Sequence, residues 1–504
     1  MDRQLPISSK LGFGVGQVAE GVKTSVFNTF VLFYYNQIIG VSASLTALVL
    51  GLAVLADALT DPVAGYLSDR TKTRFGRRHP WMLTSALPFA ASILMMFNPP
   101  ADMSQAFYMI WLLVAAVSLR LFLTLYHIPH LALGAEMAHD YTDRTRVFAY
   151  STLFGALGGY GFYFIALSFI FPSSPEFTHG LYNPGGYGLL SVVAASTVLV
   201  SILLCVAGTW KEIPYLQATR ALAVAPTSGG VLTMLRELGS VFRNPSFRVL
   251  FVGSVLASLV LAVEGTFNTY MGVHFWELPT EKLRWVGIAT IAGLPISFML
   301  APWFTRWFDK RNALVGAAVF GILNSNLLIC LRLFTDVLPG NESPVIFYLV
   351  LSTYFLGGSI LPIVAVTLNS MLADIADEQE LATENRQEGV IYSARAFSLK
   401  ATSALGAVLG GIGLDLISFP TQARVGEVAP EVIWQLGLIA GPVTSIFTLM
   451  GVLFFLNYRL DRDRVLEIKS ALSGQRSRQV AGPPAEAQSF GDDTDVSPSP
   501  TLRL

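Results

Sequence analysis

Apolar residues along this chain run in long blocks broken by short polar stretches. The blocks lack both the alternation of a half-buried strand and the two-faced pattern of a surface helix. Twelve of them reach the roughly 20 residues a helix needs to cross a bilayer: 11–39, 45–67, 80–98, 105–135, 146–171, 187–209, 246–275, 283–307, 312–334, 345–373, 391–419 and 435–458. Each is read as a membrane helix, because a backbone in lipid must satisfy its own N–H and C=O groups. The pattern therefore predicts an all-α membrane protein with twelve transmembrane helices in two six-helix halves. An N-terminal half spans 1–210, a linker 211–245, a C-terminal half 246–460 and a tail 461–504.

Composition sharpens this. The chain is 53% hydrophobic and 13% charged, with a mean hydropathy of +0.55, whereas soluble domains carry about 25% charge. The net charge of −1 gives no case for nucleic acid. The placement of charge is more informative. Lys282, Arg284, Arg332 and Arg424 fall in loops of one face, and Lys23, Arg120, Arg395 and Lys400 fall inside helices. The other 25 of the 33 basic residues lie on the opposite face or in the termini. The positive-inside rule then puts both termini in the cytoplasm. No cleavable leader is expected, since the first block is long and a second follows directly. Cys205 and Cys330 lie in different halves and read as apolar fillers. The tail from about Ser470, rich in Ser, Pro, Gln and acids, is expected to be disordered and dispensable for function.

A related signature follows the second block of each half. The first copy is Gly65-Tyr66-Leu67-Ser68-Asp69-Arg70, then Arg74-Phe75-Gly76-Arg77-Arg78. The second, degenerate copy is Arg306-Trp307-Phe308-Asp309-Lys310-Arg311. Parallel repeats with a site between them suit alternating access. Asp69, beside a helix end, can accept from arginines or backbone N–H groups and so hold one conformation on the cytoplasmic face. On that reading Gly65, Asp69, Arg70, Gly76, Arg77 and Arg78 form a conformational gate. A cluster that only fixes topology accounts for the arginines but not for Gly65 and Asp69.

Ionisable groups inside membrane helices cost about 2.5–3.5 kcal/mol each on insertion scales and mark functional sites. Asp57 and Asp61 lie one turn apart on one face of the second helix. Two such carboxylates cannot both stay ionised and unpaired, so Na⁺, a proton or a buried base must compensate. The alternative is a structural pair salt-bridged to the arginine cluster. Lys400, deep in the eleventh helix, needs a carboxylate partner, and Asp57 and Asp61 are the natural candidates. An ordinary structural ion pair is the other reading. Arg120, Thr124 and His127 share a face of the fourth helix, where Thr124 offers a hydroxyl oxygen to a hard cation. His127 reads either as a proton group or as a hydrogen-bonding core residue. Glu20 and Lys23 either line a cavity or pair with each other. With Arg120, His127 and Arg395 they make up the candidate substrate residues. No P-loop, nucleophile elbow or Cys/His metal spacing occurs, so no enzyme is indicated and no cofactor beyond a coupling Na⁺ or H⁺. The Gly155–Gly159 and Gly410–Gly413 stretches read as close helix packing.

These residues carry a resemblance. Asp-Ala-Leu-Thr-Asp-Pro over 57–62, Gly-x-x-Ser-Asp-Arg over 65–70 and Arg-x-Gly-Arg-Arg-x-Pro over 74–80 resemble the glycoside–pentoside–hexuronide:cation symporters of the major facilitator superfamily. So does Met371-Leu372-Ala373-Asp374-Ile375-Ala376-Asp377, followed by Arg386-Gln387-Glu388-Gly389 and Lys400. The resemblance implies a cation:solute symporter of a sugar or glycoside. It implies a coupling cation, Na⁺ or H⁺, on Asp57, Asp61 and Thr124, with Lys400 approaching them. It also implies a small-molecule substrate, a monomer in the lipid bilayer, and a plasma-membrane location (the inner membrane in a Gram-negative bacterium). The family's sodium-using carrier has Asn where this chain has Thr60. Its sugar-binding polar positions fall here at Gly21, beside Glu20, at His127 and at Ser151. The chain is also similar to the sodium-dependent lysophospholipid symporters, which share Asp-Ala-x-Thr-Asp-Pro and a His-x-Pro like His127-Ile128-Pro129. An amphipathic substrate is therefore the rival reading.

Overall fold

The computed structural model describes residues 5–138, 141–222, 239–383 and 387–481. Among them, twelve long helical segments follow the apolar blocks. α1 is Ile7–Ser25, continued by wide π-turns Val26–Val31 and Tyr34–Ile39. Then come α2 Ala43–Arg70, α3 His79–Phe97 and α4 Gln105–Met137. α5 is Tyr141–Ala156, continued through Leu157–Gly161 and Ala166–Ile170, and α6 is Pro184–Thr209. The second half holds α7 Pro245–Tyr270, which runs on into Met271–Phe275, and α8 Trp285–Trp307. It continues with α9 Lys310–Phe334, α10 Pro344–Thr383 and α11 Glu388–Leu416. α12 is Pro430–Leu438 joined through Ile439–Val443 to Thr444–Leu456. Ten of the helices are long and apolar enough to span a membrane. α1 and α8 complete the set. α1 is diluted by Lys10, Glu20 and Lys23, each of which has a partner inside the protein.

The ends follow local chemistry. Ser42, Ser104 and Asn244 cap α2, α4 and α7 by accepting the N–H of Leu45, Phe107 and Phe247. Pro62 sits inside α2 without ending it. α10 runs ten residues past its expected end at 373. The extension carries Asp374, Asp377 and Glu378, polar enough to leave the bilayer.

Within the first half α1 packs on α5 and α6, and α3 on α4 and α6. The second half repeats the plan with α7 on α11 and α12 and α8 on α10. The glycine stretches do what close packing requires. A Cβ on Gly21 of α1 would lie 2.2 Å from the Gly155 carbonyl oxygen of α5, and one on Gly411 would lie 2.4 Å from Ala47 Cβ. The second contact lets α11 run along α2, the main seam between the halves.

The face opposite the termini is closed by hydrogen bonds across that seam. Gln37 donates to the Pro420 carbonyl at 3.1 Å and accepts from Ala423 N at 2.9 Å. Tyr270 donates to Asn36 at 2.8 Å, and Ser42 to Asp415 at 2.9 Å. Loop joins loop as well: Glu281 accepts from Ser173 N and Oγ at 2.8 and 3.0 Å.

The 211–245 linker contains a helix, Ile213–Leu222, while residues 223–238 lie outside the described residues. One expectation needs correction. The tail assigned to 461–504, with disorder expected from about Ser470, begins as a helix, α13 Arg462–Ala481. Val465, Ile468 and Leu472 bury one side of it, and Lys469 reaches Asp374 of α10 at 3.6 Å. Its average composition is polar, which hid an apolar stripe at i, i+3, i+7 spacing. Residues 482–504 lie outside the described residues.

Candidate cation and substrate sites

Asp57 and Asp61 project from α2 toward α4. There Thr124 Oγ1 lies 2.5 Å from Asp57 Oδ1 and 2.9 Å from Asp61 Oδ1. A hydroxyl has one proton and donates to one carboxylate at a time. The other carboxylate oxygen faces a lone pair, so the three oxygens form a seat for positive charge. Lys400, from α11 in the other half, brings positive charge to the opposite oxygens of the same two carboxylates. Its Nζ is 3.2 Å from Asp57 Oδ2 and hydrogen-bonds Asp61 Oδ2. Arg120, one turn from Thr124, places NH1 3.6 Å from Asp57 Oδ2 and stacks over the Phe27 ring. Its buried Nε has no partner among the described residues. Thr60 is turned away, donating to the Asp57 carbonyl at 3.1 Å.

Behind this group Glu20 accepts from Thr24 at 2.8 Å and from Lys23 at 3.5 Å. Lys23 is buried and lies within electrostatic reach of Arg120 and Asp57. The cluster thus balances three acids (Asp57, Asp61, Glu20) with three bases (Lys23, Arg120, Lys400). An added cation would leave an excess charge in low dielectric unless Lys400 withdrew. The donor set of two carboxylates and a hydroxyl suits a hard monovalent cation. No three His, Cys, Asp or Glu side chains are placed to hold one metal ion together among the described residues.

Beside the cluster lies a cavity of about 600 Å³ between the halves. Its walls draw on the wide turns of α1 and α5, a helix form that recurs at functional sites. The first half contributes Glu20, Thr24, Asn28 and Tyr160, and the second Glu264, Asn268, Asn324 and Tyr354. Of the substrate residues expected from sequence, only Glu20 lines this cavity. Arg120 belongs to the cation cluster and Lys23 to the link between the two. His127 Nε2 meets Gln17 at 3.4 Å, and Gln17 also accepts from Ser151 at 3.4 Å. His127 of α4 and Ser151 of α5 are thus joined through Gln17 of α1. Gly21 is locked against Gly155 and has no room for an acid. Arg395 hydrogen-bonds Asn369 of α10, away from both sites. Glu264 was missed. As an acid inside an apolar block it carried the same signal that marked Glu20.

The expected gate residues form one cluster within the first half. Arg78 pairs with Asp69 at 2.5 Å and with Glu136 of α4 at 2.7 Å, and Arg77 pairs with Glu136 at 2.8 Å. Gly76 has φ +79° in the turn between α2 and α3, a conformation that favours glycine. Gly65 faces Ile128 of α4, and Arg70 stacks over Tyr66. The second half repeats the pattern: Asp309 caps α9, and Lys310 pairs with Asp374 of α10. The first copy ties the α2–α3 turn to α4, and the second ties the start of α9 to α10.

Residues 12–462 match the family model described as MFS/sugar transport protein. The chain belongs to that family. It is 25% identical to a putative glycoside/cation symporter, YagG, of Escherichia coli, over 96% of this chain and 98% of that one. It is 23% identical to the sphingosine-1-phosphate transporter MFSD2B of Xenopus tropicalis, over 95% and 93%. The crystal structure of the nucleoside transporter NupG superposes with a TM-score of 0.58 over 90% of this chain and 99% of that one, at 13% identity. As an MFS protein the chain is a multi-pass membrane transporter of a small molecule. Its two halves are the MFS repeat, and the α2–α11 seam that carries Lys400 runs between them.

Proposed function

We propose that this MFS protein is a cation:glycoside symporter that works by alternating access as a monomer in the plasma membrane, with both termini cytoplasmic. One observation carries the reading: Lys400 of one half holds both Asp57 and Asp61 of the other. Na⁺ or H⁺ and the Lys400 ammonium are alternative partners for the same carboxylates. Cation binding releases Lys400 and with it a tie between the halves, and cation release lets Lys400 return, so the empty carrier can reorient with its charges paired. Because occupancy and conformation are linked, the cation raises substrate affinity and the substrate raises cation affinity by the same factor.

A glycoside fits the cavity better than a lipid. Thr24, Asn28, Asn268 and Asn324 line it together with Tyr160, Tyr163 and Trp276, the mixture of hydrogen-bonding groups and aromatic side chains that a sugar needs. The similarity to MFSD2B keeps an amphipath as the second reading. The test is uptake into proteoliposomes of a radiolabelled panel of mono- and disaccharides and lysophospholipids, under an imposed Na⁺ or pH gradient. Gradient-driven accumulation of a sugar supports the proposal, and accumulation of lysophospholipid alone overturns it.

A further inference from the structure

The cavity has an acid from each half, on the first helix of each: Glu20 on α1 and Glu264 on α7. Their surroundings differ. Glu20 is matched by Lys23 and held by Thr24. Glu264 makes no hydrogen bond or ion pair among the described residues, and Tyr354 of α10 is the nearby titratable group that feels its charge. Among the described residues no Lys or Arg lines the cavity. The wall therefore carries one unmatched carboxylate, together with a hydroxyl, Ser25 Oγ, that is buried without a partner among the described residues.

We propose that Glu264 is the substrate-recognising acid of this transporter, accepting hydrogen bonds from adjacent hydroxyls of a neutral sugar and excluding anionic substrates. This rests on the glycoside reading above and narrows it. A carboxylate offers two acceptor oxygens at the spacing of a vicinal diol, and hydrogen bonds to a charged acceptor are about twice as strong as neutral ones. The same charge repels a uronate or a phosphate ester. At a separation of about 5 Å and an effective dielectric near 20, the repulsion disfavours an anion by about 250-fold. The cavity is thus built for neutral glycosides and against hexuronides and anionic lipid head groups.

The test uses purified full-length protein and calorimetric titration at about pH 8, where a carboxyl is ionised. The probes are p-nitrophenyl glucoside, galactoside and xyloside in both anomers, p-nitrophenyl glucuronide, and lysophosphatidic acid. Wild type binds at least one neutral glycoside and neither anion. Glu264→Gln weakens the neutral glycoside by about tenfold and lets the glucuronide bind within about tenfold of it. Glu264→Asp, which keeps the charge, still excludes the glucuronide, and size-exclusion profiles verify that each variant is folded. If wild type binds the neutral glycoside but Glu264→Gln changes neither its affinity nor the exclusion of glucuronide, the role of Glu264 is wrong while the glycoside reading stands. If no neutral glycoside binds wild type, both fail.

Discussion

Replacing Lys400 with Gln isolates the competition on which the coupling scheme depends. The ammonium lies 3.2 Å from Asp57 Oδ2. At an effective dielectric near 20, that contact alone is an attraction of about 5 kcal/mol. Lys400 is 30% exposed, so solvent screening reduces the net pairing to roughly 1.5–3 kcal/mol. A cation entering the wild-type site must displace this interaction, and in Lys400→Gln it need not. The variant should therefore bind the coupling cation about ten- to a hundredfold more tightly. Tighter binding comes at the expense of turnover. With no lysine to pair Asp57 and Asp61 after the cation leaves, the empty carrier cannot reorient. Net uptake is lost while exchange of labelled for unlabelled substrate persists. The assay is thermal stabilisation of purified protein over a Na⁺ titration at several pH values, with net uptake and exchange measured in proteoliposomes. Unchanged or weaker cation binding in Lys400→Gln would refute the competition, and so would net uptake at the wild-type rate.

Three further outcomes are expected. Arg78→Ala removes a buried guanidinium from Asp69 and Glu136 and should cost about 2–3 kcal/mol of stability, read as a lower Tm, with cation binding kept because the cluster lies within one half; loss of cation binding in folded protein would place Arg78 in the site. His179 donates to the Leu278 carbonyl at 3.1 Å, and burial pushes its pKa down to about 4. The native state holds the neutral ring, so closure of this face is fully stabilised above the unfolded value near 6.5 and weakens as pH falls toward 4. Hydrogen exchange over residues 173–183, corrected for intrinsic rates, should lose protection across that range, and a flat profile contradicts the assignment. Deleting residues 462–504 should lower Tm because it strips Val465, Ile468 and Leu472 from the second half, each worth about 1.5–3 kcal/mol when fully buried, whereas deleting 482–504 should leave Tm and uptake unchanged; equal effects from both would show that α13 does not stabilise the fold.

The helices were legible because lipid imposes length and apolarity on them without reference to their neighbours. The α10 overrun shows the limit: once a helix leaves the bilayer, hydropathy no longer marks its end. The meeting of the buried charges was legible for the opposite reason. Asp57, Asp61 and Lys400 are costly where they stand, so sequence alone demanded that they meet. Neutral polar residues carry no such demand. Asn268, Asn324 and Tyr354 look like ordinary members of apolar blocks, and only the crossing of helices turns them toward one cavity. Their half of the lining was therefore invisible, apart from the overlooked charge of Glu264. The closure contacts of Gln37, Asp415 and Glu281 depend on which loops meet across the halves, and pattern along a chain does not encode that. The arginine motif read as a gate pairs Arg78 with Asp69 of α2 and Glu136 of α4, and its spacing identified the chemistry of those partners without naming Glu136.

The seat formed by Asp57, Asp61 and Thr124 is the centre of the account, and direct cation titration tests it. Calorimetry on purified wild-type protein, run as a Na⁺ titration at fixed pH and as proton release across a pH series, should show one saturable cation per chain. Asp57→Asn and Asp61→Asn should each abolish it, since either change removes a carboxylate and leaves Lys400 bound to the other. If both variants bind the cation with wild-type stoichiometry and affinity, the pair is structural and the coupling site lies elsewhere.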